Sequence, residues 1–569
     1  MSNRPAFRDR ITLFSIDHPW LVIGVTLIIT LAFAYQFPKI HFDNDPENML
    51  SPDEPVRVFH NKVKKRFALY DFVIAGIVNE KDPDGVFNPD TLQRIHRLTL
   101  QLMNLHRRPD GKVAVRTPTT DGTMKEEIVD LTPASAWLRM LNFAFRRNPQ
   151  DLFDPMTGES VIIGPEIISP SVVDNIKQAK LGSLKVEYLM EKPPKTREEA
   201  RRIRDDALNN PLYRDTLVSA DGKALCLYVP IRAKHYSYNV TQLIKYLTRD
   251  WPREDRLFFT GLPVAEDTFG VEMLIQMATS APMAGLVVFL LLLLFFRRLQ
   301  LILAPMIIAI ISIIWAMGLL IGLGYDVHIM SSMIAIFLMP IAVCDSVHML
   351  SEFYDTYQRF RDKRKTILHI VHHLFMPMLY TSLTTIAGFA SLATTPIPPV
   401  KVFGLHVAFG VAVAWVLTVT FVPAFIMVFM RNKSLESFGT QQASHHDENS
   451  SSSLMAILGR IAGFTFRHAK LIITMAVVIL VFSAVGISKI KINDNPVKWF
   501  TASHPIRIAD RVLNEHFGGT YTAYLVFSPQ TDTQLTCHEK IDAFRRHIKA
   551  ALSPRDPEGA RLLLAKLDE

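Results

Sequence analysis

Hydrophobic positions along the 569-residue chain fall into two regimes. Seven stretches are long and apolar enough to cross a bilayer, which takes roughly 20 residues. They are Trp20–Phe37, Leu274–Phe296, Leu299–Leu323, His328–Leu350, Leu374–Thr394, Val402–Met430 and Leu471–Ile487. Residues 37–270 read instead like ordinary soluble protein.

In that polar region the apolar period switches between helix-like and strand-like. A helix is predicted over Val56–Phe67, a strand over Asp71–Val78, a helix over Thr91–His106, a strand over Lys112–Arg116 and a helix over Ala134–Arg146. A second set follows: helix Arg197–Asn209, a hairpin over Thr216–Pro230 turning at Asp221-Gly222, helix Val240–Trp251 and strand Arg256–Thr260. Helices alternating with strands predict an extracytoplasmic α+β domain of two small subdomains. No nucleotide loop, zinc spacing or nucleophile elbow occurs in it. Asn239-Val240-Thr241 reads as a chance sequon, and Cys226 as a small core residue.

Composition agrees with a membrane protein. Apolar residues make up 49% and charged residues 20%, against about 25% charged in soluble domains. A disordered chain, a fibre and a purely cytosolic enzyme are excluded. Three cysteines exclude a disulfide scaffold. The net charge of +8 suggests nucleic acid until its placement is read. Arg4, Arg8 and Arg10 precede the first span, and Arg297 and Arg298 fill the turn between the second and third. Arg359, Arg361, Lys363, Arg364 and Lys365 lie between the fourth and fifth, and Arg431, Lys433, Arg460, Arg467 and Lys470 between the sixth and seventh. Loops Gly324–Val327 and Thr395–Lys401 hold one basic residue between them. Positive-inside counting puts the N-terminus in the cytoplasm and the large domain outside. Topology absorbs the basic excess, and no nucleic-acid partner is expected.

The first span also has a signal-peptide pattern ending in Ala32-Phe33-Ala34, but a repeat argues that it is retained. Residues 6–67 resemble 456–517 at an offset of 450: Arg10 matches Arg460, His18 matches His468, Pro46 matches Pro496, Pro55 matches Pro505 and Arg57 matches Arg507. Both copies leave the membrane on the same face, the mark of a parallel duplication. The expected organisation is an amphipathic helix and first span (1–37), an external domain (38–270), five spans (271–430), a disordered cytoplasmic linker (431–453), an interfacial helix and seventh span (454–488), and an incomplete second external domain (489–569). Nothing in the second unit matches Leu274–Met430. Either the chain is a fragment, or another polypeptide supplies those spans.

The fourth span carries the candidate chemistry. Asp345 lies about two turns inside its cytoplasmic end, on an otherwise apolar helix, where a carboxylate costs roughly 2.5–3.5 kcal/mol on insertion scales. His348 follows three residues on, on the same face. Pro340 precedes it by five and interrupts the helical hydrogen bonds. Burial favours the neutral form of a carboxyl, so such a group can take a proton from one side and release it to the other; a structural hydrogen-bonding aspartate is the alternative. In the fifth span Thr381, Ser382, Thr384 and Thr385 can bond across helices or carry water, or simply pack. His406 reads as a packing histidine. His369, His372 and His373 lack a nearby glutamate base and read as interfacial; His445-His446-Asp447-Glu448 reads as solvated linker. No metal site is expected.

With these features the chain resembles the resistance–nodulation–division superfamily, in its MMPL-like exporter branch with sterol-sensing-domain-like spans. The resemblance rests on the one-plus-five layout, the duplication, Thr260-Gly261-Leu262-Pro263 before the second span, Asp345-Ser346-Val347-His348, and Thr381–Leu392 (TSLTTIAGFASL). It implies export of hydrophobic or amphiphilic compounds (lipids, sterol-like molecules or drugs) across the inner membrane, driven by the proton gradient with no other cofactor. Asp345 matches the family's proton site, and His348, Thr384 and Thr385 are its expected helpers. Relatives carry consecutive aspartates or Asp-Tyr where this chain has Asp345-Ser346. Membrane lipids, a homo-oligomer or a second polypeptide, and a periplasmic adaptor are the expected partners. The rival function is a non-transporting lipid or sterol sensor that regulates a partner. An enzyme is not expected.

Overall fold

The computed structural model describes residues 7–430 and 452–519, with breaks at 44, 119–122, 134, 145–147, 181–182, 297–298 and 491–495, and residues 525–527 and 545–546. The 431–453 linker and Cys537 therefore lie almost wholly outside the described residues. The chain divides after Tyr521, and all the elements named below lie in the first unit.

Seven helices among the described residues are long and apolar enough to cross a membrane. Helix α1 (Phe7–Asp17) breaks at His18, where Pro19 starts α2 (Pro19–Ala34). Proline at a first helical position loses only an N–H that has no partner there. The exit segment is held by the loop after the third span: Val327 donates to His41 O at 2.8 Å, and His41 Nδ1 lies 2.9 Å from Asp326.

The external domain grows from β1 (Asp71–Val78), whose residues from Val73 onward are all buried. A strand buried on both faces needs partners on both edges. They are β7 (Ala224–Ile231) and β8 (Arg256–Thr260), in the order β7-β1-β8, both antiparallel to β1. Helix α4 (Pro89–Met103), capped by the Asn88 side chain, and α7 (Ser237–Leu247) cover one face. Strands β2 (Leu105–Arg107), β3 (Val113–Pro118) and β4 (Met124–Ile128) form a second sheet, and β5 (Asp174–Lys180) and β6 (Ser183–Tyr188) a ribbon. Helix α5 (Ala136–Ala144) and helix α6 (Arg197–Asn209) complete the set. The sequence pattern divides this region into two subdomains. The pairing corrects that division, because β1 of the first set is central in the sheet completed by β7 and β8 of the second, and the two share one core. The expected hairpin is also only half regular. Its first arm is reduced to Val218 bridging Leu225, because Asp215 takes φ +59° and turns the chain.

At Gly261 the sheet becomes membrane helix. Its φ is +111°, and a Cβ there would stand 2.5 Å from Phe72 O, so glycine is required twice over. Helix α8 (Leu262–Phe296) then runs unbroken from the sheet into the second span, twelve residues earlier than the hydropathy pattern starts it. The other spans are α9 (Leu299–Gly322), α11 (Ile334–Phe360, preceded by the single turn α10, Ile329–Ser332), α12 (Lys363–Ala390) and α13 (Pro398–Phe429). Helix α13 is central, touching α1, α2, α9, α11 and α12.

Close packing there depends on small residues. A Cβ on Gly404 would meet Phe389 O at 2.5 Å and Leu392 Cβ at 2.6 Å. Gly404→Ala should therefore force α12 and α13 apart and cost about 1–3 kcal/mol, read as a lowered thermal midpoint of the detergent-solubilised protein. An unchanged midpoint contradicts this account of the crossing.

Beyond the linker come α14 (Ser452–Arg467), α15 (Ala469–Ser488) and α16 (Pro505–His516). Their features recur at the offset of 450. His18 and His468 both mark a helix break, Arg57 donates to Leu50 O, and Arg507 donates to Phe500 O. The helix α3 (Pro55–Arg66) and α16 have corresponding bounds. Their surroundings differ. Helix α16 packs Val512, Leu513 and Phe517 on the second face of the β7-β1-β8 sheet, where Gly76 leaves room for Leu513. Helix α3 leaves Val56, Val58 and Phe59 exposed.

Candidate functional site

The site forms where α11 meets α12. Asp345 is one of the few ionisable side chains buried in the bundle, 9% exposed. Across the interface Ser382 Oγ donates to Asp345 Oδ2 at 2.7 Å. A hydrogen bond to a charged acceptor contributes about 1.5–3 kcal/mol, comparable to the insertion cost of the carboxylate. Ser346 turns away and donates to Val343 O. Pro340 carries no N–H, so the Ile336 carbonyl one turn earlier has no intrahelical partner.

The structure brings only part of the expected constellation together. His348 follows Asp345 on α11 but lies exposed at the side of the bundle. Thr384 and Thr385 do not reach the carboxylate; both hydroxyls donate to Thr381 O, at 2.8 and 2.9 Å. A threonine in a helix readily satisfies itself on the preceding turn. Ser382, one of the four hydroxyls in the Thr381–Thr385 run, is the one that bonds across to α11. Cys344, His348, Thr381, Thr384 and Gly388 are exposed beside the site, and a Cβ on Gly388 would meet nothing within 4 Å. His406 is buried with Nδ1 2.7 Å from Val402 O and packs on Tyr325.

Sequence reading missed a second cluster, at the junction of the spans and the external domain. Lys234 Nζ lies 2.9 Å from Asp45, 2.9 Å from Glu47 and 3.1 Å from Glu266 at the head of α8. Burial alone would lower the pKa of this lysine. The carboxylates, Glu266 foremost, outweigh burial and hold it above the ordinary lysine value. One short motif, Asp45-Pro46-Glu47, was visible; its partners at 234 and 266 are placed by tertiary folding alone.

Other candidates resolve simply. Burial pushes the Cys226 thiol well above its ordinary pKa, which keeps it a thiol. The Asn239 amide donates to Asn148 O and Asp151 O, so that sequon is buried. The rings of His369 and His373 pack 4.6 Å apart. Among the described residues no group of three or more His, Cys, Asp or Glu side chains is placed to hold a metal ion.

The described residues thus form a helical bundle of candidate membrane spans, with small sheets beyond it and a buried carboxylate within it. Residues 171–446, a little under half of the chain, match the model of the MMPL family, which is consistent with an RND/MMPL-like transporter. Members of that family are transporters, not enzymes, and the match suggests an RND-type transporter of lipids or hydrophobic compounds. No curated protein matches the chain.

Proposed function

We propose that the chain is a proton-driven exporter of hydrophobic or amphiphilic molecules in the cell inner membrane. Its N-terminus is cytoplasmic and residues 38–270 serve as the periplasmic porter domain. The observation that carries the reading is the buried Asp345 carboxylate, bonded across α11 and α12 to Ser382. Each proton carried inward yields about 2.3 kcal/mol per 100 mV. A carboxyl that exchanges a proton there also exchanges the Ser382 hydrogen bond, which biases the packing of α12 on α11. His348 and the Thr384 and Thr385 backbone turn serve the proton's path from the exposed side. That polar, small-residue face receives further spans, from a second unit of a parallel repeat, another polypeptide or a second copy of the chain. Helix α8 passes the movement outward, since it joins the bundle to β8 without a break.

The test is lipid transport in proteoliposomes under an imposed pH gradient. A fluorescent phospholipid analogue should move when the gradient is present and stop when a protonophore collapses it. Movement that persists unchanged after collapse overturns proton coupling. Binding without movement under either condition favours the sensor over the exporter.

A further inference from the structure

Helix α5 (Ala136–Ala144) has its polarity turned inside out. Trp137, Leu138, Met140 and Phe143 are all exposed, Phe143 by 86%, and none of them enters the core of the external domain. A polar residue on the same helix is buried instead: Asn142, whose Nδ2 makes no hydrogen bond among the described residues. A helix that faces water does the opposite, covering its apolar stripe and leaving its amides solvated. Met156 adds to this surface. It is 95% exposed in a closed turn, where the Asp154 side chain accepts from Met156 N at 2.8 Å and from Thr157 N at 3.1 Å. A turn fixed in that way presents the methionine outward.

Both features are tied to the base of the external domain. Five residues after Phe143, Asn148 O accepts from the Asn239 amide in the first turn of α7, and Asp151 O accepts from it too. Beside Asn239, Ser237 Oγ donates to Pro263 O at the head of α8. Lys234 joins the same corner to Glu47, in the turn Pro46–Met49, which touches α13. The loop that carries Met156 is held there as well, because Arg232, just past the end of β7, donates from Nε to Ser160 O at 2.8 Å. Five residues of chain reach at most about 18 Å, so the end of α5 stays close to the end of the bundle that carries the domain. The surface beside that end is a lipid leaflet. Aromatic rings interleaved with a cation, here Arg139, are the make-up of helices that lie in a membrane interface.

From this juxtaposition we infer that α5 and Met156 rest in the bilayer leaflet on the domain's side, and that what covers them is lipid. The apolar side chains enter the boundary of head groups and acyl chains, and Arg139 stays among the phosphates with its stem along the apolar layer. The domain thereby gains an anchor besides α2 and α8. The inference stands apart from proton coupling, since it concerns the surface that the domain touches and not what the chain moves.

The experiment uses the full chain in phosphatidylcholine nanodiscs, with and without bromine at carbons 6 and 7 of one acyl chain. Bromine quenches tryptophan on contact, and subtracting the spectrum of Trp137→Phe isolates Trp137. Its emission should fall by about twofold or more in brominated discs, because an interfacial helix sits about 5–10 Å into the head-group boundary. Met156→Trp, added to Trp137→Phe, should be quenched likewise. Phe143→Asp should bring the quenching of Trp137 down by about half at an unchanged thermal midpoint, since it removes an apolar anchor that has no place in the core. Trp137 emission that bromine leaves unchanged overturns the inference, whether iodide then reaches the ring from water or a second copy of the chain shields it. Asp345→Asn should show the wild-type quenching, so a failure of proton coupling and a failure of this inference are read separately.

Discussion

Asp345→Asn should abolish gradient-driven transport, lowering its rate by at least about 100-fold, while the protein still folds. The change keeps the shape of the side chain, and its amide oxygen can still accept from Ser382 Oγ, so the α11–α12 contact survives. It removes the one feature that transport requires, a group that gains and loses a proton. Ser382→Ala is the graded companion. It deletes a hydrogen bond to a charged group, worth about 1.5–3 kcal/mol, which corresponds to a change of about tenfold or more in rate if the bond is made or broken in the limiting step. Thr384→Val and Thr385→Val should have small effects, because both hydroxyls are spent on Thr381 O. Rates are measured in proteoliposomes, with thermal midpoints taken in parallel. If Asp345→Asn transports at the wild-type rate, the aspartate is a structural group and the exporter reading loses its main support.

The parts of this architecture that are legible in the sequence are those set by local periodicity. Helix Arg197–Asn209 and strands Asp71–Val78 and Arg256–Thr260 lie where their patterns place them. Each has a stop signal or a cap of its own, such as the Thr196 hydroxyl accepting from Glu199 N. What sequence does not carry is the choice of partner. Nothing local in Asp71–Val78 says that β7 and β8, more than 140 residues on, will flank it. In the same way the Thr381–Thr385 run offers four hydroxyls at helical spacing, and only the crossing of α12 over α11 selects Ser382. The buried charge at 345 was legible because an aspartate in an apolar run is costly on its own. Lys234 was not, because it stands in a polar stretch where a lysine is unremarked until the fold encloses it.

That enclosed lysine gives the second large effect. Lys234→Met should destabilise the junction of α8 with the external domain by about 3 kcal/mol, the scale for breaking a buried pair by removing one partner. The side chain is 18% exposed and sits among Asp45, Glu47 and Glu266. Methionine fills the space of the stem but leaves three carboxylates facing one another. The pH dependence follows from the same charges. In the wild type the folded-state pKa of Lys234 is raised, so its contribution is fully present below the unfolded value of about 10.4 and is lost only as pH climbs through the higher folded value. Between pH 5 and 8 the lysine itself therefore contributes no slope. Burial already raises the Glu266 carboxyl to about 8 even beside Lys234, and removing the ammonium raises it further, so the deficit of Lys234→Met should widen as pH rises from about 7 to about 9, where the wild type can ionise Glu266 against its lysine and the variant cannot. Thermal unfolding of wild type and variant across that range is the measurement. A deficit that stays constant with pH means that the loss is one of packing and not of charge. Because Glu266 heads the helix that runs unbroken into the bundle, the variant should also uncouple the two regions. Gradient-driven transport should then decline in the folded variant.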